Sequence, residues 1–211
     1  MKAIFSRQLI LVNLILGIFN LQFQVLFLKL EDPDFNKFYL PLATLISVIF
    51  TLIISAIYNF QIKKRINHKV KKDWERKTLG VAILFLITSV FLFVGFINYY
   101  FDKRDNWDFN LESSEEFETR FIIKGDLRHE IKECAALNNI SDAPHQKIYE
   151  NCAGTIHFSV YYLYEKFYEK KSIEWIRIML LFYYSLFSGF ICSSIYVILV
   201  YLTIFRSEVS S

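Results

Sequence analysis

Four stretches of this chain carry no charged side chain, and they constrain its fold more than any other feature: residues 9–28, 39–62, 79–101 and 178–205. Each exceeds the ~18 consecutive apolar residues that read as a membrane-spanning helix. Together they hold 95 of the 211 residues without one Asp, Glu, Lys, Arg or His. At about 1.5 Å rise per residue each crosses a hydrocarbon core of about 30 Å, and the fourth has length to spare for tilt or projection. Composition agrees. Hydrophobic residues make up 54% and charged residues 21%, with only 6 Gly and 3 Pro, which excludes a collagen-like or Pro/Gly-rich disordered chain.

The expected fold is an all-α membrane protein, a four-transmembrane-helix bundle with a small α or α+β extracytoplasmic domain between helices three and four. Residues 1–101 would hold the first three helices, 102–177 the outer domain, and 178–211 the last helix and a short tail. The first stretch follows Lys2 and Arg7 as a signal peptide would. Its length exceeds the usual apolar region of about 7–15 residues and no small-x-small cleavage site follows it, so a retained helix is expected.

Orientation follows from the charges beside the spans. Residues 63–77 carry eight basic side chains, Lys63, Lys64, Arg65, Lys69, Lys71, Lys72, Arg76 and Lys77, against two acids, a local excess of +6. Residues 31–38 carry Glu31, Asp32 and Asp34 against Lys37. The positive-inside rule places the basic loop and both termini in the cytoplasm, in a bacterial inner membrane or a plasma membrane. Residues 102–177 then face outward with eleven Lys/Arg and fifteen Asp/Glu, a net −4. The loop's expected role is to set topology, with anionic lipid headgroups as a further partner. No nucleic-acid motif is interleaved with it.

Inside the spans, polar and small residues recur at helical spacing. The first has Asn13, Gly17, Asn20 and Gln24 on one face, the second Thr44, Ser47, Thr51, Ser55 and Asn59, and the fourth Ser185, Gly189, Cys192 and Tyr196 with Ser188, Ser193 and Ser194 beside them. Such stripes let helices approach and bond to one another, or else line a path for a solute. Packing is the expected role, because coupled transporters place ionisable groups at membrane depth and these spans have none.

In the outer segment, Phe117, Thr119, Phe121 and Ile123 alternate as in a strand, although Ser113-x-x-Glu116 resembles a helix-capping box. Asp126 is expected to cap a helix carrying Leu127, Ile131, Cys134 and Asn138 on one face. Asp142 is expected to cap a second, carrying His145, Ile148, Tyr149 and Cys152 and closed by Gly154. The rings of residues 156–171, including Phe158, Tyr161, Tyr162, Tyr164, Phe167 and Tyr168, suit headgroup depth. Cys134 and Cys152 are expected to form a disulfide. A zinc set of Cys134, His145, Cys152 and His157 lacks compact ligand spacing, and neither cysteine belongs to a Cys-x-x-Cys pair. Asn139-Ile140-Ser141 matches a glycosylation sequon. His129-Glu130 and Glu133 read as a solvated helix face rather than a zinc helix.

No catalytic constellation, cofactor motif or metal site emerges. The expectation is a non-enzymatic membrane protein that acts through helix–helix contacts and its outer domain, as an accessory or assembly subunit or an immunity-type inhibitor. Its partner would be another membrane protein or a second copy. The alternatives are an oligomeric channel or transporter component, motivated by the amides of the first span, and a membrane thiol-disulfide enzyme. Four spans with a short first outer loop and a large cysteine-bearing second one resemble tetraspanins in outline, without the Cys-Cys-Gly signature or the membrane-embedded acids of that family.

Overall fold

The computed structural model of the chain describes residues 14, 35–66, 71–110, 117–153 and 163–209. Apart from Leu14, the first predicted span with Asn13, Gly17, Asn20 and Gln24 lies outside the described residues, as do Lys69, Ser113, Glu116, Gly154, His157, Phe158, Tyr161 and Tyr162.

A π-helical turn, Phe35–Tyr39, leads into helix α1, Leu40–Ile66. Pro41 is the second residue of α1, directly after the π-helical turn, and residues 63–66 form its last turn. Helix α2 is Lys71–Asp102. Strand β1, Arg104–Asn110, pairs antiparallel with β2, Phe117–Ile123, in the register Arg104↔Ile123 to Asn110↔Phe117. Helices α3, His129–Leu137, and α4, His145–Cys152, follow. A second π-helical turn, Leu163–Phe167, precedes α5, Lys170–Val209.

Three segments are long and apolar enough to cross a membrane: Lys37–Gln61, Lys77–Asp102 and Lys170–Leu202, with mean hydropathies of 2.4, 2.7 and 2.0. All three helices outrun the uncharged stretches that announced them, α1 at its end, where it runs on to Ile66 rather than 62. Helix α2 starts at Lys71 rather than 79, and α5 at Lys170 rather than 178. Absence of charge marks what lipid tolerates, whereas the i→i−4 ladder continues through charged residues that pair along it, as Lys170 and Glu174 do at 3.8 Å.

The chain divides into two compact units. Among the described residues, the first contains Leu40–Ile97 and the part of α5 from Leu181 onward. Here α5 packs against both other helices. Ser185 and Ser188 meet Ala43 and Ser47, Gly189 meets Phe50, and Tyr196 meets Asn59, so α1 and α5 run parallel. Ser194 meets Ala82 while Phe187 meets Ser89 and Phe93, so α2 runs antiparallel to α5. Helix α5 is also the most enclosed, with 56% of its most apolar stretch buried against 28% in α1 and 17% in α2. A core of Tyr58, Ala82, Cys192, Tyr196, Val197 and Val200 forms beside it.

The second unit holds the described parts of residues 25–39 and 98–180. Its hairpin contains one strand that the sequence pattern does not reveal. The alternation of β2 is legible, but β1 reads Arg-Asp-Asn-Trp-Asp-Phe-Asn and becomes a strand because β2 needs a hydrogen-bonded neighbour.

Both expected helix caps are wrong. Asp126 caps nothing: its N–H donates to Ser172 Oγ at 2.9 Å and its carbonyl accepts from Glu169 N–H at 2.8 Å, while Leu127 bridges to Tyr168. The chain before α3 is thereby held extended against residues 167–169, and the helix begins at His129, with Arg128 at the cap position and no side-chain cap bond. Asp142 caps nothing either, since α4 starts after Pro144 without a side-chain cap. The end of α3 shows why Asn139 is there. It adopts φ 55°, a left-handed conformation that Asn tolerates better than most residues, and Asn139 N–H and Ile140 N–H donate to the carbonyls of Ala136 and Ala135. That is a Schellman ending, built from two residues of the sequon.

Candidate functional site

In the second unit the sheet, α4 and the second π-helical turn converge on a nest of rings. Trp107 from β1, Tyr149 from α4, and Phe167 and Tyr168 are all buried, with centroids of neighbouring rings 5.0 to 6.1 Å apart in edge-on contact. Phe167 and Tyr168 are turned into the protein interior, so their rings do not present a lipid-facing surface. Tyr164 is half-buried, and its hydroxyl accepts the Ile123 N–H at 2.9 Å.

Three polar groups of the nest, on Trp107, His145 and Tyr168, are hydrogen-bonded. Trp107 Nε1–H donates to Asp105 Oδ2 at 3.2 Å, and His145 Nδ1 shares a hydrogen bond with Tyr168 Oη at 3.0 Å. Burial lowers the pKa of His145, and the Lys124 cation lowers it further. Burial, then the Asp105 charge, pushes the Tyr168 hydroxyl well above its ordinary range. At neutral pH the pair is therefore a neutral imidazole and a protonated phenol, enclosed by rings and suited to holding α4 in place. Lys103, paired with Asp102 at 2.9 Å, has a raised pKa because that carboxylate accepts its hydrogen bond.

Cys134 of α3 and Cys152 of α4 form a disulfide with Cα atoms 5.8 Å apart. Bonded to each other, neither sulfur is available to the zinc set weighed from sequence. Among the described residues no three His, Cys, Asp or Glu side chains converge as metal ligands. His129 and Glu133 form an exposed pair at 3.4 Å, and Glu130 is exposed beside them.

The first unit gathers the hydroxyl stripes of the second and fourth predicted spans. Ser47 and Ser188 share a hydrogen bond across α1 and α5, Ser185 donates to the Ala43 carbonyl at 3.3 Å, and Tyr196 donates to Asn59 Oδ1 at 2.8 Å. Thr44 and Thr51 turn back to the carbonyls of Leu40 and Ser47 on their own helix. Toward α2, Ser194 donates to the Ala82 carbonyl at 2.9 Å and Ser89 to the Phe187 carbonyl at 3.4 Å. Ser55 and Ser193 are equally buried but have no hydrogen-bond partner among the described residues. Cys192 is a buried free thiol in the core beside α5.

Of the basic-loop residues, Lys63, Lys64 and Arg65 belong to the end of α1, and Lys71, Lys72, Arg76 and Lys77 to the start of α2, with Lys77 exposed. Sequence reasoning missed Trp107, which shares its alternation with Phe109 alone, and Ser89, which has no hydroxyl or amide three or four residues away in its span. It also did not foresee two guanidinium groups set on rings: Arg104 lies 4.1 Å from the centroid of Phe121 and 4.6 Å from that of Phe101, and Arg177 lies 5.5 Å from Tyr164 and 5.9 Å from Tyr39. No protein family, curated protein or solved structure matches the chain.

Proposed function

We propose that the chain is a non-enzymatic integral membrane protein of four transmembrane helices, with its termini and residues 63–77 in the cytoplasm and residues 102–177 outside. It works by lateral contact with another membrane protein, or a second copy of itself, and through the disulfide-closed outer domain. It would serve as an accessory or assembly subunit or as an immunity-type inhibitor, in a bacterial inner membrane or a plasma membrane.

One observation carries this reading. Hydroxyl and amide groups along α1 and α5 bond to one another and to backbone carbonyls across the helix seams. Polar groups used in this way hold helices together rather than line a lumen. The outward sides of α1 and α2 are apolar, with Leu45, Ile49, Leu52 and Ile53 exposed on one and Leu84, Ile87, Phe91 and Val94 on the other, a surface suited to lipid or to another helix. Purification in mild detergent, followed by crosslinking in the native membrane, is expected to recover a partner or a homo-oligomer. Recovery of the monomer alone by both routes would refute the proposal, as would solute flux through the reconstituted protein that Ser47→Leu abolishes.

A further inference from the structure

Among the described residues of the second unit, five large apolar side chains stand exposed: Phe38, Phe101, Leu137, Trp175 and Ile178. All but Leu137 lie where the chain enters or leaves the three apolar helices. Phe38 precedes α1 by two residues, Phe101 is the penultimate residue of α2, and Trp175 and Ile178 share a face near the start of α5. Each passage thus presents one exposed ring, at 69%, 53% and 62% of its full area for Phe38, Phe101 and Trp175. Each ring has a cation close in sequence: Lys37, then Lys103 and Arg104, then Lys171 four residues before Trp175.

Charge is partitioned in the same way. Residues 102–104 and 170–177 carry five Lys/Arg against two acids, whereas residues 105–169 carry six against thirteen. A segment that is −4 as a whole is therefore +3 at its two ends and −7 between them. Exposed rings beside cations match the boundary between acyl chains and headgroups, where a ring keeps its apolar body in glycerol and acyl groups while ammonium and guanidinium groups reach the phosphates.

Building on the membrane reading above, we infer that Phe38, Phe101 and Trp175, with Lys37, Lys103, Arg104 and Lys171, form a belt seated in the phospholipid headgroup layer on the side of the second unit. Arg104 is held ready for this by stacking on Phe101 and Phe121, and Arg177 braces the belt by spanning Tyr39 of the first passage and Tyr164.

The test uses the full chain in phosphatidylcholine bilayers whose acyl chains carry bromine either at carbons 6 and 7 or at carbons 11 and 12. The emission of Trp175 is taken as the difference between the wild type and Trp175→Phe, an exposed and conservative change. Retention after an alkaline carbonate wash is measured first. The expected result is retention, with Trp175 emission quenched at least twofold more by the shallow bromines than by the deep ones. Retention with quenching by aqueous iodide instead, with stronger quenching by the deep bromines, or with none by any agent overturns the belt and leaves the membrane reading standing. Loss of the protein in the wash overturns both.

Discussion

Adding one methyl group at Gly189 is expected to loosen the seam between α1 and α5. A Cβ there would lie 2.6 Å from Phe50 Cδ1, 3.2 Å from its Cγ and 3.4 Å from its Cβ. The first distance is one that real Cβ atoms do not show, and the obstructing atoms belong to a ring and its root, not to the far end of a flexible chain. The ring is also in edge contact with Phe190, at 5.0 Å between centroids. Overpacking of this kind costs about 1–3 kcal/mol. Alanine's better helix propensity returns at most about 1 kcal/mol, so the expected net loss for Gly189→Ala is about 1–2 kcal/mol, or roughly a tenfold rise in the unfolding equilibrium constant. Phe50→Ala should lose about 1–2 kcal/mol alone, from the forfeited aromatic pair and buried area. Combined with Gly189→Ala it should lose no more than it does alone, because the new methyl occupies space the ring has left. Reversible unfolding in mixed micelles gives the four corners of this cycle, with Gly80→Ala as the control, since nothing lies within 4 Å of a Cβ built at Gly80. Strict additivity of the two substitutions, or a Gly189→Ala protein as stable as Gly80→Ala, would refute the account of the seam.

Other outcomes follow from the same contacts. Replacing Cys134 or Cys152 by Ser opens a loop of 18 residues and should lower the stability of the α3–α4 pair by about 3 kcal/mol, read as earlier protease cleavage within residues 129–152. His145 has a lowered pKa in the folded state, so the contribution of its neutral ring is complete above the unfolded value of about 6.5 and is lost as pH falls toward and through the folded value. Thermal scans from pH 7 to pH 5 should show declining stability of the second unit, and His145→Gln should flatten that slope. Tyr196→Phe removes a bond to Asn59 and should cost about 0.6 kcal/mol, whereas Ser193→Ala removes a hydroxyl with no partner among the described residues and should be neutral or slightly stabilising by the same unfolding assay. If Ser193→Ala proves the more harmful of the two, the hydroxyl has a partner that the packing account omits.

What was legible in the sequence is what depends on composition along one helix. The three described helices follow from runs without charge, and the polar stripes follow from spacing of 3 and 4, so Ser47, Ser185, Gly189 and Asn59 are findable from that spacing alone. What was not legible depends on a partner distant in the chain. Arg104–Asn110 alternates only through Trp107 and Phe109 in an otherwise polar run, too short a pattern to announce a strand without its register with β2. Asp126 has the residue type of a helix cap, but its backbone N–H and carbonyl bond to Ser172 and Glu169, more than 40 residues away, and those bonds hold it extended. Phe167 and Tyr168 carry the chemistry of interfacial rings, and tertiary packing against Trp107 and Tyr149 turns them inward. The disulfide was readable because the described residues contain one buried cysteine in an apolar run and two outside it.

The seam between α1 and α5 is set by size before polarity. Lipid tails are as apolar as Leu, so burying apolar surface gives little drive for two helices to meet there, and association rests on dispersion at close approach plus a few hydrogen bonds. Those bonds are modest. At about 0.6 kcal/mol each, the Ser47–Ser188, Ser185–Ala43 and Tyr196–Asn59 contacts sum to about 2 kcal/mol. The two serine contacts also depend on the helix axes being close enough for a hydroxyl on Cβ to reach across. That closeness is supplied on α5 by Ser185, Ser188 and Gly189, all buried where they meet Ala43, Ser47 and Phe50 of α1. Ser55 and Ser193 fit this order of causes: both are small and buried, and neither hydroxyl has a hydrogen-bond partner among the described residues. A larger apolar residue at Ser185, Ser188 or Gly189 should therefore do more harm than removal of any one hydroxyl, because it takes away the distance on which the serine bonds rely.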